Sequence, residues 1–152
     1  MSTRCQIEFY DANPTDAAEP EARLYKHSDG YPKSILPMLK HIESILKKDL
    51  ATYGPRLDDP EWAAAEFVTQ FRLPSNWNEG AERVGGEPLF DGTRRNFINR
   101  YRGNIYVTQH IHPDIEYLYR VECRPDRWVI RIFTPTYDSR HDIRGFEEVR
   151  KQ

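Results

Sequence analysis

Apolar and polar residues alternate over residues 3–10, TRCQIEFY, with Cys5, Ile7 and Phe9 on one face and Arg4, Gln6, Glu8 and Tyr10 on the other. A period of two predicts a half-buried strand. After the polar, proline-containing stretch DANPTDAAEPE, residues 22–27 (ARLYKH) give a short second strand that stops at Asp29-Gly30, a turn signal. The period then changes. Across residues 34–50, Ile35, Leu36, Met38, Leu39, Ile42, Ile45, Leu46 and Leu50 recur at steps of three and four, the spacing of an amphipathic helix. Ser34 is placed to cap it, which puts Pro37 in the first turn, where it breaks no internal hydrogen bond. Lys47 and Lys48 suit the negative end of the helix dipole, and Tyr53-Gly54-Pro55 stops the helix.

A second helix opens at Asp59, a natural N-cap, followed by Pro60 at N1 and Glu61 in the first turn. Trp62, Phe67, Val68 and Phe71 form its apolar stripe and Leu73-Pro74 ends it. Residues 75–103 carry no clean period and hold Gly80, Gly85, Gly86, Gly92 and Gly103. They read as a long irregular insertion with short helical or strand pieces, and loops of that length are usually functional or disordered. The last third is β: 104–109, 115–123 and 127–135, the last two joined by a tight turn at RPDR. The tail from Gly145 is expected to be a short helix or a frayed end. The order β-β-α-α-β-β-β predicts one α+β domain over 1–152, an antiparallel sheet of about five strands with both helices on one face.

Composition narrows the class. Only 38% of residues are hydrophobic and 30% are charged, with a mean hydropathy of −0.81. Three tryptophans, nine tyrosines and seven phenylalanines nevertheless argue for a packed core, because disordered chains are poor in aromatics. A net charge of −2 and a pI near 6.2 give no global pull toward nucleic acid or anionic membrane. No apolar run approaches the roughly 18–20 residues that span a bilayer, and MSTRCQIEFY has no signal core, so a cytoplasmic protein is expected. Cys5 and Cys123 fall in apolar alternation and are read as buried, reduced thiols.

Chemistry concentrates in three stretches. In QHIHPDIEYLY, His110, His112, Asp114 and Glu116 share one parity and would line one face of an ideal strand. Histidine and carboxylate suit Zn or Mn, but six residues of strand span about 20 Å, so one ion could take at most two neighbours such as His112 and Asp114. Pro113 breaks the ladder there, and His27 and Asp29 are the candidates for completing a metal set. In YKHSDGYP, His27 and Asp29 either hold the turn or act as a base and its orienting carboxylate. Tyr25 and Tyr31, with Tyr117 or Tyr119, are candidates for an aromatic wall that stacks on a ligand. In TRRNFINRYR, Arg94, Arg95, Arg100 and Arg102 interleave with Phe97 and Tyr101, a pattern suited to phosphate, carboxylate or stacked bases. No phosphate-binding Gly-Lys-Ser/Thr loop, dinucleotide glycine pattern, Cys-x-x-Cys pair or nucleophile elbow is present.

LYKHSDGYP, followed by KSILPML, DPEWAAAEF and later PDIEYLYRV, resembles a group of small uncharacterised proteins of bacteria, phages and prophages. They share a His-x-Asp-Gly-Tyr-Pro turn and an Asp-Ile-Glu-Tyr-x-Tyr strand. The likeness covers residues 22–71 and 112–133, leaves 75–103 as an insertion, and carries no activity with it. It implies a mobile-element context, in which proteins of this size often bind and block host components, defence systems among them. The sequence therefore points to a non-enzymatic binding protein with no cofactor. It would engage an anionic ligand or host macromolecule, protein or nucleic acid, through Tyr25, His27, Asp29, Tyr31, Arg94, Arg95, Arg100, Tyr101 and Arg102. The alternatives are a metal-dependent hydrolase or phosphodiesterase built on His27, Asp29, His112 and Asp114, and an oligomeric scaffold without ligand.

Overall fold

A computed structural model describes residues 3–48, 56–72, 83–84, 87–88 and 105–149. The elements are β1 (Cys5–Asp11), β2 (Ala22–Lys26), α1 (Pro32–Lys48), α2 (Pro60–Arg72), β3 (Arg83–Val84), β4 (Glu87–Pro88), β5 (Ile105–Val107), β6 (Tyr117–Cys123), β7 (Trp128–Tyr137) and β8 (Ile143–Glu148). Six of the strands form one sheet in the order β5-β2-β1-β6-β7-β8, while β3 and β4 pair only with each other. The fold is α+β, as the element order predicts, but the sheet is mixed: β1 runs parallel to β6, and every other neighbour is antiparallel.

That parallel pair sets the architecture. β5 and β6 point the same way on either side of the β2–β1 hairpin, so residues 108–116 must cross two strands to join them. Parallel strands are usually joined by a dozen or more residues, most often a helix. Here an irregular segment makes the crossing, held by Thr108 N donating to Arg23 O (3.0 Å) at one end and Glu116 N donating to Arg4 O (2.9 Å) at the other.

The helices cover one face. Ile35, Leu39, Ile42 and Leu46 of α1 and Ala63, Ala64 and Phe67 of α2 pack on Cys5, Ile7, Phe9, Leu24, Tyr119 and Val121. Phe67 and Trp128 meet Phe9 edge-on at 6.3 and 6.1 Å. A smaller core of Tyr25, Ile115, Leu118 and Phe133, flanked by Ile111, Ile143 and Phe146, lies on the opposite, helix-free face.

Local details refine the sequence reading. Asp59 caps α2 as expected, its Oδ1 accepting from Trp62 N at 3.0 Å. Trp62 itself lies outside the core, exposed beneath the Arg56 guanidinium at 4.8 Å. Helix α1 starts at Pro32, not Ser34, with Tyr31 O accepting from Ser34 N and Ile35 N. Pro37 therefore falls in the second turn and leaves the Lys33 carbonyl without its helical donor, on the exposed side. The segment around Gly145 is neither helix nor frayed end; it is β8, an edge strand paired with β7. The RPDR turn closes as expected, with Arg124 N donating to Arg127 O at 3.1 Å.

Candidate functional site

Position 6 begins the site. Gln6 is fully buried on the helix-free side of β1. Its Nε2 donates to His110 O at 3.0 Å and its Oε1 accepts from His112 N at 2.8 Å. One amide thus clamps the crossover from both sides, which places His110 and His112 over β2. The His112 ring lies 4.3 Å from the Tyr25 ring and 6.0 Å from those of Tyr106 and His110. The Tyr106 ring lies 5.0 Å from that of Tyr25, tilted by 37°. Thr108 Oγ1 lies 3.0 Å from His112 Nε2 and fixes that ring.

Tyr25 joins the two stretches that the sequence singles out. Its hydroxyl donates to Asp114 Oδ2 at 3.1 Å and lies 3.1 Å from His27 Nδ1. Arg4 Nε sits 3.1 Å from the same carboxylate oxygen. Burial, then the bond to Asp114, push the Tyr25 phenol up to about 12, so it remains a proton donor at neutral pH. Tyr106, His110 and His27 stay exposed, Tyr106 at 45%. The result is a platform of aromatic and imidazole rings with a fixed base and open edges.

The other predicted residues are distributed differently. Asp29 takes the left-handed backbone conformation of the turn (φ 55°). Gly30 is required for a separate reason: a Cβ there would lie 2.8 Å from Cys5 Cβ and 2.9 Å from Thr3 O. Tyr31 belongs to the helix face with Tyr117, 6.3 Å away, and Tyr117 stacks on Tyr119. The aromatic wall expected from Tyr25, Tyr31 and Tyr117 or Tyr119 is therefore split across the sheet. Arg94, Arg95, Arg100, Tyr101 and Arg102 lie outside the described residues.

The metal set is not assembled. Among the described residues no group of three or more His, Cys, Asp or Glu side chains is arranged to hold an ion. His27 and Asp114 are instead each within hydrogen-bond distance of the Tyr25 hydroxyl. Both thiols are buried, and burial pushes Cys5 and Cys123 up to about 12. Among the described residues no helix is long and apolar enough to cross a membrane.

Farther along the same face lies a feature the sequence reading passed over. Glu8, 2% exposed, accepts from Tyr10 Oη at 2.8 Å and Arg23 Nε at 2.7 Å and pairs with Arg120 Nε at 3.4 Å. Arg23 also donates to Gln109 O at 2.5 Å, so Glu8 braces the start of the crossover. Burial and the Glu8 charge raise the Tyr10 phenol. Arg120 is the cross-strand partner of Arg131, and both guanidiniums lie over the Phe133 ring. The sequence held a signal for that pair: counting back from the RPDR turn sets 120 opposite 131.

Fold and site together define an α+β protein whose helix-free sheet face carries a braced ring platform and a buried carboxylate among arginines. No protein-family model, curated protein or solved structure matches the chain.

Proposed function

We propose that the protein is a non-enzymatic binding protein of the phage and prophage kind, acting on a host component such as a defence factor. Its partner is anionic and lies against the helix-free face at Tyr106, His110, His112, His27 and Arg4. The observation that carries this reading is the clamping of residues 110–112 by Gln6: rings held rigidly at their base and exposed at their edges lose little entropy on contact. Stacking rings beside a guanidinium suit a planar or phosphorylated partner. The Arg94–Arg102 stretch immediately precedes β5 in the chain and supplies the charge half of the reading from sequence.

The test is affinity capture from host lysate, with mass spectrometry, by three forms of the full chain. These are wild type, a Tyr106→Ala/His112→Ala variant, and a variant with Arg94, Arg95, Arg100 and Arg102 all changed to Ala. Wild type is expected to retain a defined partner in a salt-dependent way, and both variants to lose it. Capture of the same partner by both variants, with unchanged salt dependence, would sink the proposal.

A further inference from the structure

The far end of the helix-free face holds a cavity away from the ring platform. Arg4 and Tyr10 mark its distance, six residues or about 20 Å of strand apart. The loop after β1 lies beside β6 and β7 and forms one wall of an open pocket of 340 Å³. Arg120, Arg124 and Arg131 line it, with Tyr10, Thr15 and the carboxylates of Asp16 and Glu122. Asn13, at φ 57°, turns the loop inward, and its backbone N donates to Glu122 Oε1 at 2.8 Å.

The arginines are oriented without being used up. Arg120 Nε points to Glu8 at 3.4 Å, and Arg124 Nε donates to Glu122 Oε1 at 2.7 Å. Arg131 spends Nε and Nη2 on Glu148, at 3.1 and 2.8 Å. Among the described residues no acceptor meets the Nη groups of Arg120 and Arg124 or Nη1 of Arg131. Arg120 and Arg131 face each other directly across β6 and β7, each held by one carboxylate, Glu8 and Glu148, with further donors left over.

We propose that this pocket binds a phosphate oxyanion. A carboxylate presents two oxygens to one guanidinium; the remaining N–H groups of three arginines that line one space suit the several peripheral oxygens of a phosphate. The volume falls in the lower range of small-molecule sites, which leaves room for the group esterified to that phosphate. Asp16 opposes the anion and limits its affinity.

The experiment follows the melting temperature of the full chain against inorganic phosphate and, separately, adenosine 5′-monophosphate, with sodium chloride at matched ionic strength as control. A saturable rise with at least one of the two is expected, and none with chloride. Arg131→Gln and Arg120→Lys should each weaken binding on the order of tenfold, and Asp16→Asn should tighten it. Arg124→Gln lies outside the Glu8 network and keeps the test valid if Arg120→Lys fails to fold. Tighter binding of the nucleotide assigns the site to a phosphate monoester, and equal binding assigns it to free phosphate. No saturable shift with either probe, or binding that all three arginine variants retain, overturns the proposal. Neither result bears on partner capture at the ring platform.

Discussion

Replacing Glu8 by glutamine removes one charge and almost no volume, and the structure fixes what that costs. The carboxylate receives Tyr10, Arg23 and Arg120. A carboxamide keeps one acceptor oxygen and presents an NH2 to its neighbours. The Tyr10 hydroxyl can rotate to accept from it, but a guanidinium has no acceptor. At least one arginine contact is therefore lost. A hydrogen bond to a charged group contributes about 1.5–3 kcal/mol, and breaking a fully buried pair costs about 3–5 kcal/mol. Arg23 is 14% exposed and Arg120 35%, so water recovers part of that, and the expected loss is about 2–3 kcal/mol. In urea, with a slope of about 2 kcal/mol/M, the unfolding midpoint should fall by about 1–1.5 M. Arg23→Gln made in both backgrounds should reveal a coupling of about 1–2 kcal/mol. A midpoint shift under about 0.3 M, or strictly additive single variants, would refute the view that Glu8 joins the two arginines.

Three further outcomes follow from the same geometry. Gly30→Ala should destabilise the fold by about 2–3 kcal/mol in urea melts, because the turn cannot retreat from Cys5 without losing the Gly30 N to Thr3 O bond at 2.9 Å; an unchanged midpoint refutes the close-approach argument. Gln6→Leu strands the His110 carbonyl and the His112 N–H, so amide exchange at His112 should quicken by about tenfold or more while α1 stays protected; equal protection at His112 would show that the clamp is dispensable. The thiols set an alkaline limit: unfolded cysteine ionises at about 8.5, whereas burial pushes Cys5 and Cys123 up to about 12. Both groups are neutral and cost nothing below the unfolded value, and stability is lost as pH rises from there toward the folded value. Cys123→Ala should flatten that decline, and a thiol reagent at pH 8 should react only once the chain is unfolded; prompt labelling of the native protein would contradict the burial.

Where pattern acts locally, the sequence already carries the structure. The cap at Asp59, the core stripe Ile35-Leu39-Ile42-Leu46 and the turn at RPDR follow from residues within a few positions of one another. What escapes the pattern depends on long-range pairing. Nothing in residues 115–123 shows that they pair in parallel with β1 instead of continuing a meander. The crossing of residues 108–116 over the sheet, and the site it builds, stay hidden with that pairing. Trp62 reads as core because an aromatic at helical spacing usually is, yet Arg56 covers its ring in place of the sheet. The Asp-Gly turn is legible as a bend, but the nearness of Cys5 that makes the glycine necessary depends on where the bend docks.

The same pairing explains the polar face of β1. Alternation in TRCQIEFY predicts that Gln6, Glu8 and Tyr10 meet solvent, yet all three are buried. A helix laid over this face would satisfy its own backbone and would ask for valine or leucine at positions 6 and 8. The cover is instead irregular chain, residues 12–20 and 108–116, whose N–H and C=O groups need partners when they leave water. Gln6 supplies both for residues 110 and 112. Glu8 holds Arg23, which supplies the carbonyl of Gln109, and Glu122 supplies the N–H of Asn13. The buried polar side chains of the central strands are therefore the hydrogen-bonding complement of two loops. Because those loops carry the exposed rings at one end and close the arginine pocket at the other, an apolar β1 would leave both without a floor.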